Sequence, residues 1–88
     1  MQWQIEYSKQ ASQTLRKLDK TVRKNIEKFI ERLPKYNNPR EIGKALTGAY
    51  AGLWRYRVGN YRIVCSIHDN ILVIEVVKID HRREVYKK

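Results

Sequence analysis

Cysteine is almost missing from this sequence: Cys65 stands alone, so no disulfide can form within the chain. Its place among apolar strand residues marks a small buried hydrophobe in a reducing compartment. Histidine is equally scarce. With only His68 and His81, a metal site would need carboxylates that nothing in the spacing brings to them, and none is expected. Long apolar runs are absent too. The opening MQWQIEYSKQ has no hydrophobic centre of a signal peptide, and no stretch reaches the length of a membrane span, so a soluble cytoplasmic protein is expected. Two prolines and four glycines leave no linker, low-complexity tract or repeat. Acidic residues are the most telling shortage: nine Asp and Glu face nineteen Lys and Arg, giving a formal charge of +10 and a partner that is a polyanion or an acidic protein.

The 88 residues suffice for one domain, 1–88, with a modest core. Trp3, Ile5 and Tyr7 alternate with polar residues, the period of a half-buried strand. Ser8 reads as a helix N-cap, and Ala11, Leu15 and Leu18 recur at helical spacing. Asp19 ends that helix and caps the next, whose stripe of Val22, Ile26, Phe29, Ile30 and Leu33 runs to Pro34. Its basic residues, Arg23, Lys24, Lys28 and Arg32, read as a solvated helix face. From Tyr36 to Gly52 the pattern breaks into a long connection with a short helical piece expected around Glu41 to Leu46. Long connections in compact domains are often functional, which makes Lys44 a candidate contact.

The organising stretch is Leu53 to Asp80. Three runs rich in Val, Ile, Tyr and Trp are separated by Gly59-Asn60 and Asp69-Asn70, which predicts an antiparallel meander with two tight hairpins. Counting back from the first turn places Arg57 opposite Arg62, with Arg55 on the same face. Trp54, Tyr56, Val58, Tyr61, Ile63, Cys65, Ile67, Leu72, Ile74 and Val76 fall on the other face, enough to hold a core. Like charges facing each other across strands are unfavourable unless an anion lies over them. Beyond the last strand, His81 and Tyr86 can exchange protons and Arg82 and Arg83 can neutralise a phosphate, residue types that suit phosphodiester chemistry.

The order strand, two helices, basic connection and meander, with KALTG, LWRYRVGNYRIV and IDHRREVY in place, resembles the RelE/ParE superfamily of toxins from type II toxin–antitoxin systems. The likeness covers essentially the whole chain, and RYRVGNYRIV and DHRREVY are its specific parts. It implies an α+β, β-α-α-β-β-β fold with a short basic tail. Closest in kind is the RelE-like branch, which implies a ribosome-dependent endoribonuclease that cleaves mRNA in the A site, without cofactor or metal, by attack of a 2′-hydroxyl on its own 3′ phosphate. By resemblance Arg62 and Arg82 stabilise the phosphate and Tyr86 orients or deprotonates the nucleotide. Arg55 falls where the best-known RelE toxins carry a lysine. Arginine stays protonated and is a poor base, so His81 or Tyr86 takes that part. Lys44, Arg57, Arg83 and Lys87 are the expected RNA contacts. The implied partners are the ribosome, mRNA and a RelB-like antitoxin, in a hetero-oligomer that binds operator DNA through the antitoxin, with no membrane involved. A gyrase-inhibiting ParE-like toxin and a nuclease-dead, antitoxin-binding homologue are the alternatives. Structural roles for these arginines would be pairs with Glu75 or Glu84.

Overall fold

Ser8 joins the first two kinds of structure in the chain. In the computed structural model, which describes residues 3–81, strand β1 (Gln4–Tyr7) ends against it and helix α1 (Lys9–Lys17) begins from it, the Ser8 hydroxyl accepting the Ala11 N–H at 3.0 Å. Helix α2 (Lys20–Arg32) follows almost at once, capped by Asp19, whose carboxylate accepts the Thr21 N–H at 3.1 Å. Both caps and both apolar stripes are as the sequence predicts. Ala11, Leu15, Ile26, Ile30 and Leu33 are buried, and Val22 and Phe29 pack against them. Pro34 lies in the 3-10 turn Leu33–Lys35 that closes α2.

The remaining strands are β2 (Lys44–Ala45), β3 (Trp54–Val58), β4 (Tyr61–His68) and β5 (Val73–His81), in a sheet of order β1-β5-β4-β3-β2. The expected meander β3-β4-β5 is antiparallel, and β1 closes the other edge by running parallel to β5. The helices cover the face that carries Tyr56, Ile63, Cys65, Ile74 and Val76, all buried, with the Phe29 and Tyr56 rings 5.6 Å apart.

Two local expectations are corrected. The helical piece around Glu41 to Leu46 is instead a 3-10 turn, Pro39–Glu41, followed by β2, because Gly43 takes a left-handed φ of +83° and sends the chain into pairing with β3. The second hairpin has four residues, Asp69 to Leu72, between the paired His68 and Val73. Leu72 accepts a left-handed φ of +54° there, its side chain packs on the core, and its carbonyl takes the Gln4 N–H at 2.9 Å. Two extra residues shift the register by an even step, so every side chain keeps its expected face.

A second irregularity does change faces. Val64 pairs with Lys78 while Cys65 pairs with Val76, which leaves Val77 as an extra residue on β5, a β-bulge. Before it, Ile74 and Val76 point to the helices; after it, Ile79 does, opposite Ile63. Lys78 and Asp80 are thereby turned to the outer face, away from the helices. Ser8 holds this bulge, for its hydroxyl donates to the Val77 carbonyl at 2.6 Å and its N–H to the Val76 carbonyl at 2.9 Å.

The connection from α2 to β2 is long but pinned. Trp3 Nε1 donates to Asn37 O at 3.4 Å, the Tyr56 hydroxyl to Pro39 O at 2.6 Å, and Trp54 Nε1 to Ile42 O at 2.7 Å. Arg40 adds a bidentate pair to Asp69, at 2.9 and 2.8 Å, which holds the Asp69 carboxyl below its ordinary range.

Because Ser8 serves both helix and bulge, Ser8→Ala is expected to lose about 1 kcal/mol for the cap and about 1 kcal/mol or more for the unmet carbonyl. Ser8→Asp separates the two: a carboxylate caps as well as serine but cannot donate to Val77. Urea unfolding should find Ser8→Asp well below the parent protein. Equal stability would show that the bulge does not need the hydroxyl.

Candidate functional site

On the outer face of the sheet, cations gather across β2, β3 and β4. Gly59, with φ +59° at the first central position of a two-residue turn, pairs Val58 with Tyr61 and so fixes Arg57 opposite Arg62. In such a hairpin the next pair out lacks mutual backbone bonds, and its side chains approach most closely. On the other edge of β3, Lys44 of β2 is paired in register with Arg55. Two like-charge pairs thus sit side by side, each unfavourable by up to about 1 kcal/mol. The bulge adds Lys78 from β5.

Asp80 is the counter-ion within this group. Its Oδ2 lies 3.5 Å from Arg62 Nη2 and 3.5 Å from Lys78 Nζ, longer than the ~2.7–2.9 Å of a strong charge-assisted hydrogen bond. The Arg62 side chain is only 18% exposed, and its Nε is buried with no hydrogen-bond partner among the described residues. Burying such a donor unmet costs about 1–3 kcal/mol, more when it is charged. Beside β3 a groove of about 360 Å³ opens between Lys44, Arg55 and Arg57 and the rings of Phe29 and Tyr56.

Four of the sequence-predicted site residues, Lys44, Arg55, Arg57 and Arg62, therefore meet on one face. His81 pairs in register with Tyr61 and turns toward the helix side, its ring edge-on to Tyr61 at 4.9 Å. Arg82, Arg83, Tyr86 and Lys87 lie outside the described residues. Glu75, expected as an arginine partner, instead pairs with His68 at 3.2 Å, and Arg62 turns to Asp80. Lys78, Asp80 and Tyr50 on this face escape simple alternation. The signal for the first two was present, since apolar positions 74, 76 and 79 break parity and betray the bulge.

Cys65 is fully buried, and burial, with Glu75 adding to it, pushes its thiol up to about 12. It is not a nucleophile at neutral pH. Among the described residues no group of three His, Cys, Asp or Glu side chains is clustered to hold a metal, and no helix is long and apolar enough to cross a membrane.

A helix hairpin over one face of a five-stranded sheet, with cations collected on the other, defines a small basic α+β domain. Residues 5–86 match the family described as "ParE toxin of type II toxin-antitoxin system, parDE", and the chain belongs to that family. It is similar to two curated Mycobacterium tuberculosis proteins: toxin RelG, 32% identical over 57% of this chain and 58% of that one, and toxin RelE, 37% identical over 61% and 56%. The chain thus spans less than three-fifths of the length of the curated relatives it matches. In structure it is similar to the toxin–antitoxin complex RelBE2 of M. tuberculosis, with a TM-score of 0.82 and 25% identity, covering 93% of each chain.

Two outcomes follow from this geometry. A Cβ on Gly43 would lie 2.5 Å from the Arg55 carbonyl oxygen and 2.7 Å from Trp54 Nε1. Gly43→Ala should therefore cost about 2–4 kcal/mol through strain and overpacking together. Gly59→Ala, where nothing lies within 4 Å, should cost only the ~1–2 kcal/mol of strain. Denaturant melts of both variants test the close approach at Gly43, and equal losses would count against it. Separately, Cys65 should resist a thiol reagent at pH 8 until the chain unfolds, so labelling should track global unfolding in urea. Fast labelling of the native protein would mean that the β4 core opens locally.

Proposed function

We propose that this protein is the toxin of a type II toxin–antitoxin pair and acts as a RelE-like, ribosome-dependent endoribonuclease. The observation that carries this reading is Arg62: a largely buried guanidinium that, among the described residues, has an unmet Nε and sits in a cluster of cations balanced by one loosely held carboxylate. Such a group is preorganised for a phosphate whose charge grows during reaction.

The 2′-oxygen of the nucleotide attacks the adjacent 3′ phosphorus, and the bond from phosphorus to the 5′-oxygen of the next nucleotide breaks. The products are a cyclic phosphate and a free 5′-hydroxyl. The proton on the 2′-hydroxyl must leave, and one must reach the departing 5′-oxygen. Arg62 binds the phosphate oxygens, exchanging its distant contact with Asp80 for shorter ones. Arg82 is the second phosphate ligand. Lys44, Arg57, Arg83 and Lys87 hold neighbouring phosphates, and Arg55 acts as a fixed cation because it cannot serve as a base. Of the two candidate bases, the register of His81 on the helix side favours Tyr86.

A RelB-like antitoxin is the natural inhibitor on this reading, through an acidic segment laid over the same cations. The RelBE2 likeness supports it, being to a chain solved as a toxin–antitoxin complex. The reading makes the protein cytoplasmic, where ribosomes are.

Single-turnover cleavage on saturating programmed ribosomes tests the assignment. Arg62→Ala should slow cleavage about a hundred- to a thousandfold, with ribosome binding weakened far less. Tyr86→Phe should slow it strongly if the phenol carries the proton, whereas His81→Gln should have little effect. Parent-like rates for both Arg62→Ala and Tyr86→Phe would move the site elsewhere, and absence of cleavage by the parent protein would leave gyrase inhibition or simple antitoxin binding.

A further inference from the structure

Most large apolar side chains of this domain are buried or half-buried; Tyr7, Tyr50 and Ile71 are the exposed ones among the described residues. Only Tyr50 stands beside the cations of the outer face. It is 43% exposed, and Lys78 Nζ sits 5.8 Å from its ring centroid. Lys78 in turn shares Asp80 Oδ2 with Arg62. Ring, lysine, carboxylate and guanidinium are thus joined through successive contacts.

The backbone that carries the ring is fixed by its own hydrogen bonds. Tyr50 ends the 3-10 turn Gly48–Tyr50, and its carbonyl accepts the Leu53 N–H at 3.1 Å while its own N–H reaches Thr47 O at 3.3 Å. Leu46 N–H donates to Leu53 O at 3.0 Å, extending the β2–β3 pairing beneath it. An exposed aromatic on an ordered turn loses little freedom when something stacks on it. Cations alone fix phosphates and leave the bases unread, whereas single-stranded RNA is held by stacking its bases on aromatic side chains.

We propose that Tyr50 is the base-stacking residue of this site: it takes a base of a single-stranded RNA whose phosphate is held by Lys78 and Arg62. The proposal rests on the reading of the outer face as an RNA site and names the group that would grip a base there. Lys78 bridges the two parts, meeting the ring with its cation and the phosphate with its charge.

The probe is a short single-stranded RNA made uncleavable by 2′-O-methylation, beside the same oligonucleotide with its bases removed one at a time, and inorganic phosphate as a charge-only control. Binding is measured at one fixed salt concentration for the parent protein and for Tyr50→Ala, Tyr50→Phe and Tyr50→Trp. Tyr50→Ala should weaken binding of the intact oligonucleotide about five- to a hundredfold. The Phe and Trp variants should retain it. One abasic position should reduce the parent protein to the level of Tyr50→Ala without further loss in that variant, and phosphate binding should be alike in all four. Parent-like binding by Tyr50→Ala, equal losses on intact and abasic RNA, or no binding of the oligonucleotide by the parent protein would each overturn the proposal. So would a Tyr50→Ala protein that loses only antitoxin affinity, since the ring would then belong to the protein partner. Ribosomal cleavage is scored separately. Stacking without cleavage keeps Tyr50 and removes the nuclease; cleavage with unchanged half-saturation in Tyr50→Ala keeps the nuclease and removes Tyr50.

Discussion

One extra residue on the last strand decides which side of the sheet its charges occupy. Side chains alternate along a strand with a period of two, so without Val77 as a bulge Lys78 and Asp80 would point into the core beneath the helices and Ile79 would face solvent. Burying an ammonium and a carboxylate there would cost far more than any packing of Ile79 returns. The bulge resolves both demands, and Ser8 makes it affordable by meeting the Val77 carbonyl while also starting α1. The entry of the chain into its helices and the composition of its outer face are thus linked through one hydroxyl.

The outer face carries an electrostatic cost. Arg57 against Arg62 and Lys44 against Arg55 are pairings that stability alone would not select. They persist because the backbone over-determines them: a two-residue turn fixes one pair, and Gly43 pressed against the Arg55 carbonyl fixes the other. The connection to β2 is held by two indoles, a phenol and the Arg40–Asp69 pair, and ends by presenting Lys44 to the sheet. Tyr56 illustrates the economy of the arrangement, filling the core with its ring and securing Pro39 with its hydroxyl, while burial pushes its phenol well up and keeps it a donor.

The periodicities of the chain determined its helices, their caps at Ser8 and Asp19, the three-stranded meander, the burial of Cys65 and the opposition of Arg57 to Arg62. All of these depend on local spacing or on a short turn, and local sequence carries that information. The whole-chain likeness to RelE and ParE toxins was likewise legible from RYRVGNYRIV and DHRREVY, and the family match bears it out. What only the tertiary structure decided is whatever depends on distant partners: β1 running parallel to β5, β2 replacing a turn of helix, Asp80 rather than Glu75 facing Arg62, His81 turned to Tyr61, and Tyr50 set beside Lys78. Each is fixed by hydrogen bonds or charges between residues far apart in the chain, and a bulge that reverses parity cannot be weighed until the core it protects is assembled.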